Sequence, residues 1–216
     1  MTTAEAALLR ESSAWFDVKL DRQAFGRVEG FLELLALWNR RVRLTGERDT
    51  SAVLRKHVAD SFAPMSCLPP TGLVVDIGSG AGFPGIILAC LRPDLELALV
   101  ESRRRRVTFL REVIRQVGLP GARAIEARAE DAATDPKLAA RADIVVSRAI
   151  RLDRFLALAA PFVAPSGTVV AMQTSRSAAG GIAGSSALLP AGRRDYRLPD
   201  GASRTLLFFS PRRSVP

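Results

Sequence analysis

One stretch, Leu73-Val-Val-Asp-Ile-Gly-Ser-Gly-Ala-Gly-Phe-Pro-Gly85, constrains what this chain can fold into more than any other. A short β-branched run ends in an acid, breaks into glycines and restarts at a proline with a helical pattern behind it. Buried parallel strands read as continuous apolar runs, glycines allow backbone conformations that a Cβ would block, and proline suits the first turn of a helix. The stretch therefore predicts a strand, a tight turn and a helix, with a ligand held at the carboxyl end of the strand.

Glycine spacing bears on which ligand. A dinucleotide fingerprint needs GxGxxG directly after the strand, and Gly80, Gly82 and Gly85 meet that spacing only after a detour through Gly78 and Ser79. The fit to NAD is poor. S-adenosylmethionine carries an ammonium and a sulfonium but no phosphate, so its loop needs carboxylate and carbonyl acceptors, and Asp76 stands two residues before the first glycine. A glycine-rich turn can also be structural punctuation. The next apolar run narrows that alternative: Glu96-Leu-Ala-Leu-Val-Glu101 again ends in an acid, about twenty residues on, where a ribose-binding carboxylate belongs in such folds.

A chain of 216 residues, 48% of them hydrophobic, is long and apolar enough for one sizeable α/β domain with a modest extension. Its formal net charge of +9 favours a polyanionic partner. All but three of its 31 basic residues are arginine, a bias that a GC-rich genome would also produce, so charge alone leaves both a functional basic face and a bland one open. Cys67 and Cys90 are too few and too apolar in setting for a disulfide framework or a metal site. No stretch approaches the roughly 20 apolar residues that span a bilayer, and the opening residues lack a signal-peptide pattern, so a cytoplasmic protein without membrane or metal partners is expected.

In chain order, Thr2 with Glu5 resembles a capping box for a first helix, and Asp21 caps a second carrying Phe25, Val28, Leu32 and Leu35 on one stripe. Residues 38–49 read as a basic loop, and Ser51 as the cap of a third helix. His57, the single histidine, has no partners at ligand spacing, so a structural and a chemical role both stay open. Pro64, Pro69, Pro70 and Gly72 mark a boundary between an N-terminal helical cap, residues 1–70, and a cofactor domain, residues 71–216.

Beyond the turn, Ser102 is expected to cap a helix whose first turn holds Arg103 to Arg106, either a phosphate contact or a solvated run. Residues 122–128 form a weak third strand, 142–148 a strong fourth, 151–163 a helix and 167–173 a fifth strand. Two final runs flank a turn at Pro199, Asp200 and Gly201, and residues 174–192 read as a loop. The sum is a Rossmann-like α/β fold: a mostly parallel seven-stranded sheet closed by an antiparallel hairpin, with Glu130 and Arg148 at its binding edge.

The ordered motifs resemble one family, the bacterial small-subunit (16S) ribosomal RNA guanine-N7 methyltransferases formerly named after glucose-inhibited division. The resemblance covers residues 31–173 and rests on residues 76–85 with their Phe-Pro-Gly ending, on Trp38-Asn39, Leu44-Thr45, His57 to Ser61, Glu101-Ser102 and Ser147-Arg148-Ala149. It implies a class I methyltransferase fold, with an S-adenosylmethionine site lined by Gly78, Phe83, Ala129, Glu130 and Arg148 and with Glu101 near the ribose, joining Asp76, Gly80 and Gly82, which the glycine turn itself offers to the cofactor. Asn39, His57 and Arg128 would face the RNA, joining Arg148 as the groups nearest the reaction. The implied partner is ribosomal RNA or the small ribosomal subunit, and a monomer is expected. Arg43 and Gln173-Thr174 depart from the family's usual asparagine and Lys-Gly. A methyl-inactive RNA-binding homologue is thus the alternative, with an NAD-linked oxidoreductase further off.

Overall fold

In the computed structural model the described residues are 1–175, 185 and 187–212. Seven strands form one sheet in the order β3-β2-β1-β4-β5-β7-β6. Strands β1 (Leu73–Ile77), β2 (Glu96–Glu101), β3 (Ala122–Glu126), β4 (Ala142–Arg148) and β5 (Val163–Thr174) are parallel, and β6 (Leu188–Arg197) with β7 (Ser203–Pro211) adds the antiparallel hairpin.

Strand periodicity divides the core in two. Val74, Leu97, Leu99, Ile144, Val146 and Val170 face one buried cluster, while Val75, Ile77, Ala98, Val100, Val145 and Val169 face the other. Successive side chains point to opposite faces, so these runs of aliphatic residues demand helices on both sides of the sheet. The second cluster is closed by α7 (Ala129–Ala132) and α8 (Leu152–Ala159). The first is closed by α5 (Gly85–Leu91), α6 (Arg104–Val117) and the N-terminal helices, whose Leu9, Val28, Phe31, Leu54 and Phe62 are buried there. The first 70 residues therefore share the sheet's core and close none of their own.

Helix α1 (Thr3–Trp15) has the Thr2/Glu5 capping box, and Asp21 caps α2 (Arg22–Asn39) through the Ala24 N–H. The third helical run starts two residues earlier than its sequence pattern indicates, because Asp49 rather than Ser51 accepts the Ala52 N–H. That run continues without a break as α3 (Thr50–Val53), a π-helical turn (Leu54–Val58), α4 (Ala59–Phe62) and a 3-10 turn (Ala63–Cys67). Inserted π turns are frequent at functional sites, and this one carries His57.

Three other boundaries differ from expectation. Arg103, with no side-chain cap bond, precedes α6 in place of Ser102. Helix α8 stops at Ala159 rather than 163, since Pro161 has no N–H to continue it, and the chain enters β5 at Val163 with an irregularity opposite Ala142 and Ile144. Of the expected loop at 174–192, residues 188–192 belong to β6, while 176–184 and 186 lie outside the described residues.

Candidate active site

Sheet topology sets the site. Parallel strands β1, β2 and β4 deliver Ile77, Glu101 and Arg148 to one edge. The chain turns there at Gly78, Gly80 and Gly82, all at positive φ, a region that L side chains avoid. Gly78 and Ser79 donate their N–H groups to the Val100 carbonyl at 2.8 and 3.2 Å, so the turn is fastened to β2. Ser79 Oγ donates to the Asp76 carbonyl, and Ser147 Oγ to the Ile77 carbonyl at 2.7 Å, which fastens β4 to the same point.

A cleft of about 330 Å³ opens beside this turn. Gly78, Glu101, Arg128, Ala129 and Glu130, all expected at the site, line it. Sequence reading missed Ile150, Arg151 and Arg154, which line it too. Their signal was positional: residues that follow a strand's carboxyl end flank the crevice, and Ala149, with φ of 68°, makes the bend that brings them there.

Glu101 is the best-held acid of the cleft. Its Oε1 accepts the Arg103 N–H at 2.8 Å, and its Oε2 accepts the Gly80 N–H at 3.1 Å with the Arg106 guanidinium at 3.5 Å. These donors fix the plane of the side chain and leave lone pairs for hydroxyl donors. Asp76 sits differently. Its Oδ2 accepts the Gly85 N–H at 3.0 Å, and its buried Oδ1 has no partner among the described residues. Burial pushes this carboxyl up to about 7. The residue, expected as a cofactor acceptor, supports the turn from beneath and is not among those that line the cleft. Gly80 and Gly82 likewise shape the turn without lining the cleft.

Phe83 and Arg148 also lie outside the cleft lining, in a second and more buried cluster. Phe83 stacks on His57 at 5.2 Å between centroids, and the Arg148 guanidinium lies 5.4 Å from the Phe83 ring. Arg148 Nη2 approaches His57 Nδ1 at 2.9 Å and Nη1 donates to Asp60 Oδ2 at 3.3 Å. Burial, then the Arg148 charge, pushes His57 down to about 4. The imidazole is thus neutral at pH 7 and Nδ1 accepts from the guanidinium, which assigns its proton to Nε2. Tyr196 escaped sequence reading, and Asp60 entered it only as part of the His57 to Ser61 landmark.

Asn39, expected to face the RNA, is hydrogen-bonded within its own loop. Its Oδ1 accepts the Leu44 and Thr45 N–H groups, and its Nδ2 donates to Thr45 Oγ1 and the Glu47 carbonyl. Four bonds within one loop use the hydrogen-bonding capacity of the side chain, so Asn39 organises residues 39–47 and has none left for a base. Gln173 donates to the Ile150 carbonyl at 3.2 Å and steadies the cleft wall. Arg43 is exposed, as are Arg128, Arg151 and Arg154. Among the described residues no cluster of His, Cys, Asp and Glu could hold a metal ion, and no helix is long and apolar enough to cross a membrane.

The sheet order, the glycine turn after β1 and the acid ending β2 define a class I S-adenosylmethionine-dependent methyltransferase fold. Solved structures agree on the architecture. A mutant of MtNAS in complex with S-adenosylmethionine matches with a TM-score of 0.56 at 14% identity, covering 86% of this chain and 72% of that one. TrmN from Thermus thermophilus matches with a TM-score of 0.53 at 16% identity, covering 74% and 53%. Sequence is more specific than shape: the chain belongs to the rRNA small subunit methyltransferase G family (GidB), whose family model matches residues 25–189. A relative from Anaeromyxobacter sp. (strain Fw109-5), named ribosomal RNA small subunit methyltransferase G, is 38% identical over 205 residues, covering 92% of this chain and 94% of the relative. One of the same name from Geobacter sp. (strain M21) is 36% identical over 180 residues, covering 83% and 82%.

Proposed function

We propose that this protein transfers a methyl group from S-adenosylmethionine to N7 of a guanine in 16S ribosomal RNA, as free RNA or in the small subunit, acting as a cytoplasmic monomer. The observation that carries this reading is the cleft beside Gly78, with the Glu101 carboxylate fixed by three donors at its edge. The cradle fits the cofactor: a Cβ on Gly78 would stand 3.0 Å from Ile150 Cδ1, so only a bare backbone keeps this wall open. Names of the family and of the relatives supply the ribosomal RNA substrate.

Gly78, Glu101, Ala129, Glu130 and Ile150 would hold S-adenosylmethionine, whose sulfonium supplies an electrophilic methyl group when bound. Guanine N7 offers an in-plane lone pair with no proton to remove, so the protein needs no general base. His57, neutral and occupied at Nδ1 by Arg148, agrees with that requirement. What the chain supplies is placement, which in favourable cases contributes roughly 7–11 kcal/mol. Glu101 would offer acceptor lone pairs to the ribose hydroxyls, and exposed Arg128, Arg151 and Arg154 stand at the rim where RNA phosphates would arrive. The N-terminal helices, which bring His57 to the site, form the RNA-facing side of the crevice.

Incubation with labelled S-adenosylmethionine and unmodified small subunits or 16S RNA is expected to label a single guanine, mapped by primer extension. RNA binding without label at saturating cofactor would favour a methyl-inactive homologue, and label on an amine or hydroxyl acceptor would reject guanine N7.

A further inference from the structure

Among the described residues a buried polar cluster is centred on Asp60, a residue inside the His57 to Ser61 landmark to which the sequence assigns no role of its own. Its side chain is only 5% exposed, and its carboxylate is held from three directions. Arg148 from the end of β4 donates to Oδ2 at 3.3 Å, Tyr196 Oη from β6 donates to Oδ1 at 2.7 Å, and Arg204 Nε from β7 lies 3.9 Å from Oδ1. Asp60 itself follows, in α4, the π-helical turn that carries His57. One carboxylate thus ties together the N-terminal helices, the parallel sheet and the hairpin.

A buried charge is costly unless it is paired and its lone pairs are filled, and replacing such a group by an apolar one is often no worse for stability. The cluster needs another reason to exist, and Arg148 gives one. Two of its five donors are committed, Nη1 to Asp60 and Nη2 to His57, which fixes the plane of the guanidinium over Phe83. Its neighbours in sequence are parts of the cleft: Ser147 is bonded to Ile77, next to Gly78, while Ala149 bends the chain into Ile150, whose Cδ1 meets the Gly78 position. A displaced Arg148 would shift the wall of the cleft.

We propose that Asp60 is a positioning residue of the methyl-transfer site, acting by clamping Arg148 against His57 and Phe83 with Tyr196 and Arg204 as its supports. This inference rests on the proposed methyl transfer. It also makes a claim that is independent of activity, since losing the clamp frees Arg148 from the single histidine of the chain.

The test uses the full chain with Asp60→Asn and, as the milder change, Tyr196→Phe. Methyl transfer and cofactor affinity are measured together with an NMR titration of the His57 ring. The charged groups around that ring are Arg148, Glu47, Lys56 and Arg204, and Arg148 is the largest electrostatic influence among them. In Asp60→Asn the turnover is expected to fall about 10- to 100-fold, the range that a small misplacement produces, with the apparent KM for RNA little changed. The His57 midpoint is expected to climb from about 4 toward its ordinary 6.5 as Arg148 withdraws. Tyr196→Phe should move both readouts in the same directions by less, and it decides the matter if Asp60→Asn does not fold. Folded variants that keep wild-type turnover, or that lose activity only in step with folded fraction while His57 titrates as before, overturn the proposal. If the unaltered protein transfers no methyl group, the functional reading fails instead, and the His57 midpoints still decide whether Asp60 clamps Arg148.

Discussion

Strands β1 and β2 each carry an acid at or next to their carboxyl end after an aliphatic run, yet the two acids are placed differently. Asp76 and Glu101 project from the same face of the sheet, as shown by the residues that share their clusters, Val74 for one and Leu97 and Leu99 for the other. Register separates them: Asp76 lies opposite Leu99, so Glu101 stands two residues further toward the carboxyl edge, about 6.6 Å along a strand. Below the edge, Asp76 finds one N–H, that of Gly85, and no water-facing side. At the edge, Glu101 meets the turn after β1 and the start of α6, and takes a donor from each, Gly80 N–H and Arg103 N–H. An acid near the end of a strand is therefore a buried pillar or a cleft-facing group according to its height in the sheet, not its chemistry.

The largest expected effect comes from breaking the pillar. A Cβ at Gly85 would stand 2.6 Å from Asp76 Oδ2 and 2.3 Å from Leu99 Cδ2, so Gly85→Ala must displace the carboxylate and repack the strand. Overpacking and one lost buried hydrogen bond together amount to about 3 kcal/mol of stability, measurable by urea unfolding. A variant as stable as the parent would show that Asp76 bears nothing. Glu101→Gln tests the other side. Its amide keeps the size but loses the charge that draws hydroxyl donors, so affinity for S-adenosylmethionine by calorimetry should drop about 10- to 100-fold, the worth of one hydrogen bond to a charged group. Should Asp76→Asn weaken binding more than Glu101→Gln does, the assignment of roles is reversed.

The contrast also explains what could be read from the sequence. All seven strands, the turn, Asp21 as a cap and Glu101 as a cleft acid were legible because each is a local signal: an aliphatic run, a glycine cluster, a polar residue before a helical stripe. The height of Asp76 was not, because register depends on which residue of β2 lies opposite. The loop-closing bonds of Asn39 were not legible either, because a side chain that closes a loop and one that meets a base carry the same amide. Asp60 and Tyr196 are 136 residues apart in the chain, and only the hairpin brings them together. Arg151 and Arg154 read as ordinary helix positions until the bend at Ala149 aims the chain at the cleft.

The smallest effect, read as a slope per pH unit, is the most diagnostic of the pillar, because it separates two buried groups by sign. Asp76 is raised from 3.8 to about 7 by burial, so between those values the folded state holds a proton that the unfolded state has lost, and stability falls as pH rises through the window. His57, lowered from 6.5 to about 4, does the reverse: the unfolded state takes up the proton first, and stability falls as pH drops from 6.5 toward 4. In the native protein the two slopes oppose each other over most of that interval. Asp76→Asn keeps the shape and cannot ionise, so it should remove one slope and leave the other. Its stability relative to the parent should rise with pH by at most about 1.4 kcal/mol per unit and level off near pH 7. Contributions from surface carboxylates cancel in that difference, since both proteins carry them. A difference that does not change between pH 4 and pH 7 would mean that Asp76 is ionised in the fold throughout, and that the carboxylate beneath the turn has a partner after all.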